Sequence, residues 1–243
     1  MKLPPPRKKG TFTLEETLER RRSKRAFLPK RLSPEQVSQL LWAAQGVFLR
    51  GKRTTPSAGG IYPLEIYLVA RGGVYHYVPQ DHDLVETLHG DVLPQLCEAA
   101  AGQDFLREAP ANIIIAADDR AMEGRYGKRA ERYICIEVGH AAQNIHLQAV
   151  ALGLGSAPIG AFDDEKVHAA LKLPDEHWPL YIIPVGYPAE GRSFRPSLSS
   201  KKYGARYRAP SASCRPWATF TRGICFWPGG PRPRTTSRLS ASS

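Results

Sequence analysis

The chain has 243 residues, 42% of them hydrophobic, and a formal net charge of +11, which suits a soluble globular protein with one substantial core and an appendage. No apolar run reaches the length of about eighteen residues that a membrane-spanning helix needs. The basic opening MKLPPPRKKG leads into no apolar stretch of the secretory kind, so a cytoplasmic location is expected. The excess charge sits at one end: residues 192–243 hold 11 Lys and Arg and no acid, whereas residues 1–191 hold 23 of each sign. The globular part is thus electrically ordinary, and neither a nucleic acid nor a membrane surface is implied as its partner.

In chain order, Thr13 followed by Glu16 is a capping box for a first helix, with Leu14 and Leu18 on its apolar face. Ser33, Pro34 and Gln36 mark a second helix more sharply, with Leu32 and Val37 as a staple. Val37, Leu40, Leu41 and Ala44 form its inner face, and Gly46 ends it. After the run RTTPSAGGIYPLE, EIYLVAR and VYHYVP read as two strands about the turn Gly72-Gly73. Residues 84–100 read as a helix and NIIIAAD (112–118) as a buried strand. The segment from Glu131 to Leu152 is helical and apolar on most sides, hence buried in the core or in a subunit interface. A short helix capped by Asp163 or Asp164 follows, then the strand LYIIPVG (180–186).

This order predicts an α+β fold, a central and mostly antiparallel sheet flanked by helices, over residues 1–190. Residues 191–243 form a basic tail rich in Ser, Arg and Pro, with no periodicity that could bury a core. Its composition resembles a GC-rich gene translated in the wrong frame, which would put the authentic end near Pro188 to Pro196. Cys97, Cys135, Cys214 and Cys225 show no C-x-x-C spacing, so buried or inert thiols in a reducing compartment are expected and no metal site.

Three segments carry chemistry. RRRSKRAF places Arg21, Arg22, Ser23 and Arg25 at a helix end, where guanidinium forks and a hydroxyl suit a phosphate; a solvated basic helix end is the plainer alternative. Ser57, Ala58, Gly59 and Gly60 have so little side chain that a ligand can approach the backbone, although a connecting loop would look the same. GLGSAPIG (153–160) follows a helix rather than a strand, which argues against a Rossmann dinucleotide site.

Taken as an ordered set, the Arg-Arg-Ser-x-Arg run, PSAGGIYPLE, the block EVGHAAQNIHLQAVALGLGSAPIGAFDD and a strand ending in PVGYP resemble the flavin-dependent nitroreductase family. Within it the chain is similar to the SagB-type dehydrogenases, the branch that includes azoline oxidases acting on peptides; LPPP and LSPEQVSQLLWAAQGV add to that likeness. The resemblance implies a dimeric FMN enzyme that passes hydride through flavin N5 between NAD(P)H, or a small-molecule or peptide substrate, and an acceptor. It implies that Arg21, Arg22, Ser23 and Arg25 hold the phosphate and ribityl chain, with Arg192 or Arg195 completing the phosphate site. Pro56, Ser57, Ala58 and Gly59 would lie along the ring and its pyrimidine edge. Pro158, Ile159, Gly160 and Ala161 would bring backbone to N5.

Azoline oxidases carry a Lys-Tyr pair thought to assist proton removal. The matching pair here is Arg132-Tyr133, which leaves Tyr133 as the catalytic candidate, because an arginine cannot act as a base. Lys128 and Tyr126 are nearby alternatives. His140, Gln143 and Asn144 on the long helix read as groups that satisfy buried or interfacial hydrogen bonds. An azoline-to-azole peptide dehydrogenase and a non-catalytic flavin-fold component of a peptide-modifying complex are the alternative functions; a nucleic-acid binder acting through the basic tail is the remotest.

Overall fold

The computed structural model describes residues 1–48 and 51–189. Seven α-helices and six strands are found among them, in the order α1 (Leu14–Arg20), α2 (Pro34–Gln45), β1 (Leu64–Ala70), β2 (Gly73–Val78), β3 (Asp83–His89), α3 (Leu93–Ala99), α4 (Phe105–Glu108), β4 (Ala111–Ala117), α5 (Arg120–Tyr126), α6 (Ala130–Ala151), β5 (Gly155–Ser156), α7 (Asp164–Leu171) and β6 (Trp178–Gly186). The strands form one sheet in the order β3-β2-β1-β4-β6-β5, with every neighbouring pair antiparallel. The expected α+β architecture is present.

Both faces of the sheet are covered, and the strands alternate accordingly. Leu64, Ile66 and Leu68 of β1, Ile113 and Ile115 of β4, and Ile183 and Val185 of β6 pack on one side with Leu40 and Leu41 of α2 and Ile134, Ala141 and Ile145 of α6. Tyr67, Val69, Ile114 and Ile182 point the other way, against Leu96 of α3, Leu106 of α4 and Val167 of α7. Buried on both faces, β4 is apolar along almost its whole length; Asn112 is its one polar residue, and it donates to the Leu106 carbonyl at 3.0 Å. No helix of the described residues is long and apolar enough to cross a membrane.

The capping signals are realised. Thr13 and Ser33 each close a capping box, and Asp163 rather than Asp164 caps α7. Gly153, at φ +71°, lets the chain leave α6 in the left-handed region that a β-carbon disfavours.

Three expectations are corrected. Residues 84–100 are not one helix: β3 pairs with β2 along Asp83–His89, and only Leu93–Ala99 is helical. The spacing of Leu84, Leu88 and Val92 imitates a helical stripe, but the open edge of β2 supplies backbone partners, and Gly90 at φ +109° breaks the run. Leu14 and Leu18 do not face inward; they are 60% and 50% exposed, and α1 buries Thr17 instead. Cys97 is buried as expected, whereas Cys135 is exposed on α6. The tail from residue 190 lies outside the described residues.

Candidate functional site

The arginine run leaves the end of α1 and is pinned to the sheet edge. Ser23 bridges Ser156 of β5 in parallel, and the Lys24 N–H donates to the Ser156 carbonyl at 2.9 Å. Two of the predicted segments, RRSKR and GLGSAPIG, are thereby brought together. The approach is close enough that a β-carbon on Gly155 would stand 2.7 Å from Lys24 Cβ, so glycine there is a steric requirement. Beneath the junction, His146 of α6 shares a buried 2.8 Å hydrogen bond with the Ser156 hydroxyl. Burial, and then the charge of Arg21, push the His146 pKa down to about 4, so the ring is neutral near pH 7.

The cations of this run differ in use. Arg21 is half-buried and, among the described residues, in no ion pair. The Arg22 guanidinium folds back to donate to the Glu19 and Arg21 carbonyls at 2.6 and 2.8 Å, serving the end of α1. Ser23 is exposed and Arg25 half-buried. The Arg21 charge, without a partner carboxylate among the described residues, an exposed hydroxyl and a glycine-dependent close approach of two backbones suit an anionic group such as a phosphate. Arg192 and Arg195 lie outside the described residues.

Downstream, the Ile159 amide is engaged by the Ile182 carbonyl at 3.0 Å, so this amide is not available to a ligand. The amides of Gly160 and Ala161 have no backbone acceptor among the described residues, and both residues are exposed, with Pro158 half-buried.

The PSAGG run forms a tight turn of its own. Gly60 donates to the Ser57 carbonyl at 3.1 Å, and the Ser57 hydroxyl accepts from the Tyr62 amide at 2.9 Å. Gly59, Gly60 and Tyr62 all have positive φ, 63°, 69° and 59°. Pro56 and Gly59 are exposed, and Ser57 and Ala58 are half-buried. Helix α5 leans on this turn: a β-carbon on Gly59 would meet Tyr126 Oη at 2.6 Å and Arg125 Nη1 at 2.8 Å. Tyr133 is one ring further away, edge-on to Tyr126 at 4.9 Å, and Arg132 and Lys128 are exposed. Asn144 donates to the Ala43 carbonyl at 3.2 Å and lies 3.5 Å from the Thr54 carbonyl, as a group satisfying buried backbone should. His140 and Gln143 are exposed.

The turn and the arginine run do not share a side of the molecule. Glu137 and Asn144 face the 53–57 stretch, whereas His146 faces Ser156. At about 100° per residue, Glu137 and His146 sit roughly half a turn apart around α6. Within one chain, then, the arginine run and the glycine turn lie on opposite sides of the long helix.

Residues that sequence reasoning missed are His146, Glu137, Gln45, Arg53 and Arg125. Glu137 and His146 stand within the quoted helical block, but nothing local distinguishes them from the solvent-facing His140.

Residues 18–187 match the model of the nitroreductase family. A Methanocaldococcus jannaschii protein named as a nitroreductase is 43% identical over 180 residues, covering 71% of this chain and 90% of that protein. FMN reductase [NAD(P)H] of Bacillus subtilis is 28% identical over 118 residues, 43% of this chain and 47% of the reductase. Among solved structures, a Ralstonia eutropha protein also named as a nitroreductase is 30% identical with a TM-score of 0.71, over 78% of this chain and 89% of that one.

Proposed function

This chain belongs to the nitroreductase family, and on that premise we propose that it is an FMN-dependent oxidoreductase working as a homodimer. The observation that carries the reading is the junction of Ser23 and Lys24 with Ser156. It sets the Arg21 charge, in no ion pair among the described residues, beside a glycine-rich turn whose next amides without a backbone acceptor among those residues are those of Gly160 and Ala161. Arg21, Ser23 and Arg25 would hold the phosphate, with Arg192 or Arg195 beyond them; Arg22 would act through the backbone it caps. Gly160 and Ala161 would donate to the reacting edge of the ring. Pro56, Ser57, Ala58 and Gly59 would present the ledge for its pyrimidine side.

FMN, when bound, supplies the hydride chemistry. The chain's part is to bind, to orient, and to leave one ring face open to donor and acceptor in turn. Because ledge and arginine run lie on opposite sides of α6, one flavin would take its ledge from a second copy. The exposed Ile136, Gly139, His140 and Gln143 of α6, with the outward Leu14 and Leu18 of α1, would be covered by that copy.

Purification decides the reading. The protein should carry or take up FMN, identified after release, and should sediment as a dimer. Failure to reconstitute with FMN overturns it. Anaerobic bleaching by NADH or NADPH marks a nicotinamide-driven reductase. Bleaching only by a heterocycle-bearing peptide marks the dehydrogenase of the SagB type, in which Tyr133 would face the substrate.

A further inference from the structure

Beneath the glycine ledge lies a buried polar chain that the proposed reaction does not use. Glu137, on the inner face of α6, is 1% exposed, and Gln45, on α2, is fully buried. Among the described residues, neither carboxyl oxygen of Glu137 has a hydrogen-bond partner, nor has Gln45 Nε2. The groups that act on the carboxyl are the Ser57 hydroxyl of the ledge, the Arg53 guanidinium and the Gln45 amide. Arg53 donates to Gln45 Oε1 at 3.0 Å and lies 3.5 Å from the Leu64 carbonyl at the start of β1. Ser57 in turn fixes the Tyr62 amide. A buried carboxyl with both oxygens unpartnered among the described residues thus stands beside an amide that Arg53 holds by its oxygen and whose nitrogen is left open, with Ser57 of the ledge adjacent.

We propose that Glu137 is the positioning residue of the ledge: the turn at Ser57 rests on a protonated carboxyl buried beside it, and loss of the proton disturbs the turn and weakens the flavin it supports. The inference rests on the flavin reading given above. A neutral carboxyl can both accept and donate between Ser57 and Gln45, whereas a carboxylate buried there stands desolvated with its nearest cation one residue removed. Burial outweighs the opposing pull of Ser57, Arg53 and Gln45 and raises the Glu137 pKa to about 7. Other titratable groups near this chain are Glu65 of β1, Tyr62 and Tyr77 of β2, all acting on Arg53.

The test is FMN affinity by flavin fluorescence from pH 5.5 to 8.5, for the wild type and for Glu137→Gln, which mimics the neutral carboxyl. The second ionisation of the FMN phosphate is common to both proteins and cancels in the ratio of their dissociation constants. That ratio is expected to rise by up to about tenfold with pH, the change that one unit of differential proton affinity gives. A ratio independent of pH, with both proteins binding FMN, overturns the positioning role and leaves the flavin reading standing. Failure of both proteins to bind FMN overturns the flavin reading, and this inference with it. Should Glu137→Gln not fold, Glu137→Met provides a second neutral side chain of similar length for the same comparison.

Discussion

His146 and Ser156 meet through a buried 2.8 Å hydrogen bond directly under the place where the arginine run crosses β5. The pair joins the long helix to the edge of the sheet and sets the height at which Ser23 and Lys24 lie. With its pKa lowered from 6.5 to about 4, His146 is neutral in the folded protein where it would be partly charged in the unfolded chain. Between these values the unfolded state binds more protons, so stability is present above pH 6.5 and is lost as pH falls toward 4. His146→Gln should lack this component. Urea unfolding at pH 7, 5.5 and 4.5 should show the wild type losing up to about 3 kcal/mol more than the variant.

Gly155→Ala tests the close approach. The new β-carbon would press on Lys24 Cβ and Cγ at 2.7 and 2.8 Å, close to the backbone, where a side chain has little room to yield. A loss of about 1–3 kcal/mol is expected, read from chemical unfolding. Affinity for FMN should fall further than the same loss of stability would bring about elsewhere in the sheet.

At Gly59 the small side chain answers to two demands, a left-handed backbone and the proximity of Tyr126. Gly59→Ala should destabilise by about 1–2 kcal/mol through its backbone alone. Combining it with Tyr126→Ala should recover only the steric part, because the strain at φ +63° persists. Thermal melts of the two single variants and the double variant separate the contributions.

Placing a charge on the outward face of α6 tests the shared site. Ile136 is 47% exposed in the single chain, so Ile136→Glu should leave the monomer's stability within about 0.5 kcal/mol. If a second copy covers this face, the variant should sediment as a monomer and lose its flavin together with the dimer. A monomeric variant that retains full FMN would refute the two-chain site.

The arginine run, the glycine turn and the long helix are all legible in the sequence, and so are the capped starts of α1, α2 and α7. These are local signals: a capping oxygen three residues from the amide it serves, or a guanidinium cluster beside a hydroxyl, is written in adjacent letters. The misreading of residues 84–100 has the opposite cause. Leu84, Leu88 and Val92 suit a helix or a strand, and only the unpaired edge of β2 decides between them.

The sequence by itself determined the fold class, the order of the arginine, glycine and long-helix segments and the confinement of the charge excess to the tail, because each follows from periodicity or composition within a short window. Only the tertiary structure decided that Ser23 lies on Ser156, that His146 rather than His140 is the buried histidine, and that Glu137 stands under Ser57 beside Gln45. It also decided that the ledge and the arginine run face opposite sides of α6. Such relationships join residues from distant parts of the chain, and they are set by which helix faces the sheet can bury, a competition for space that no single segment records.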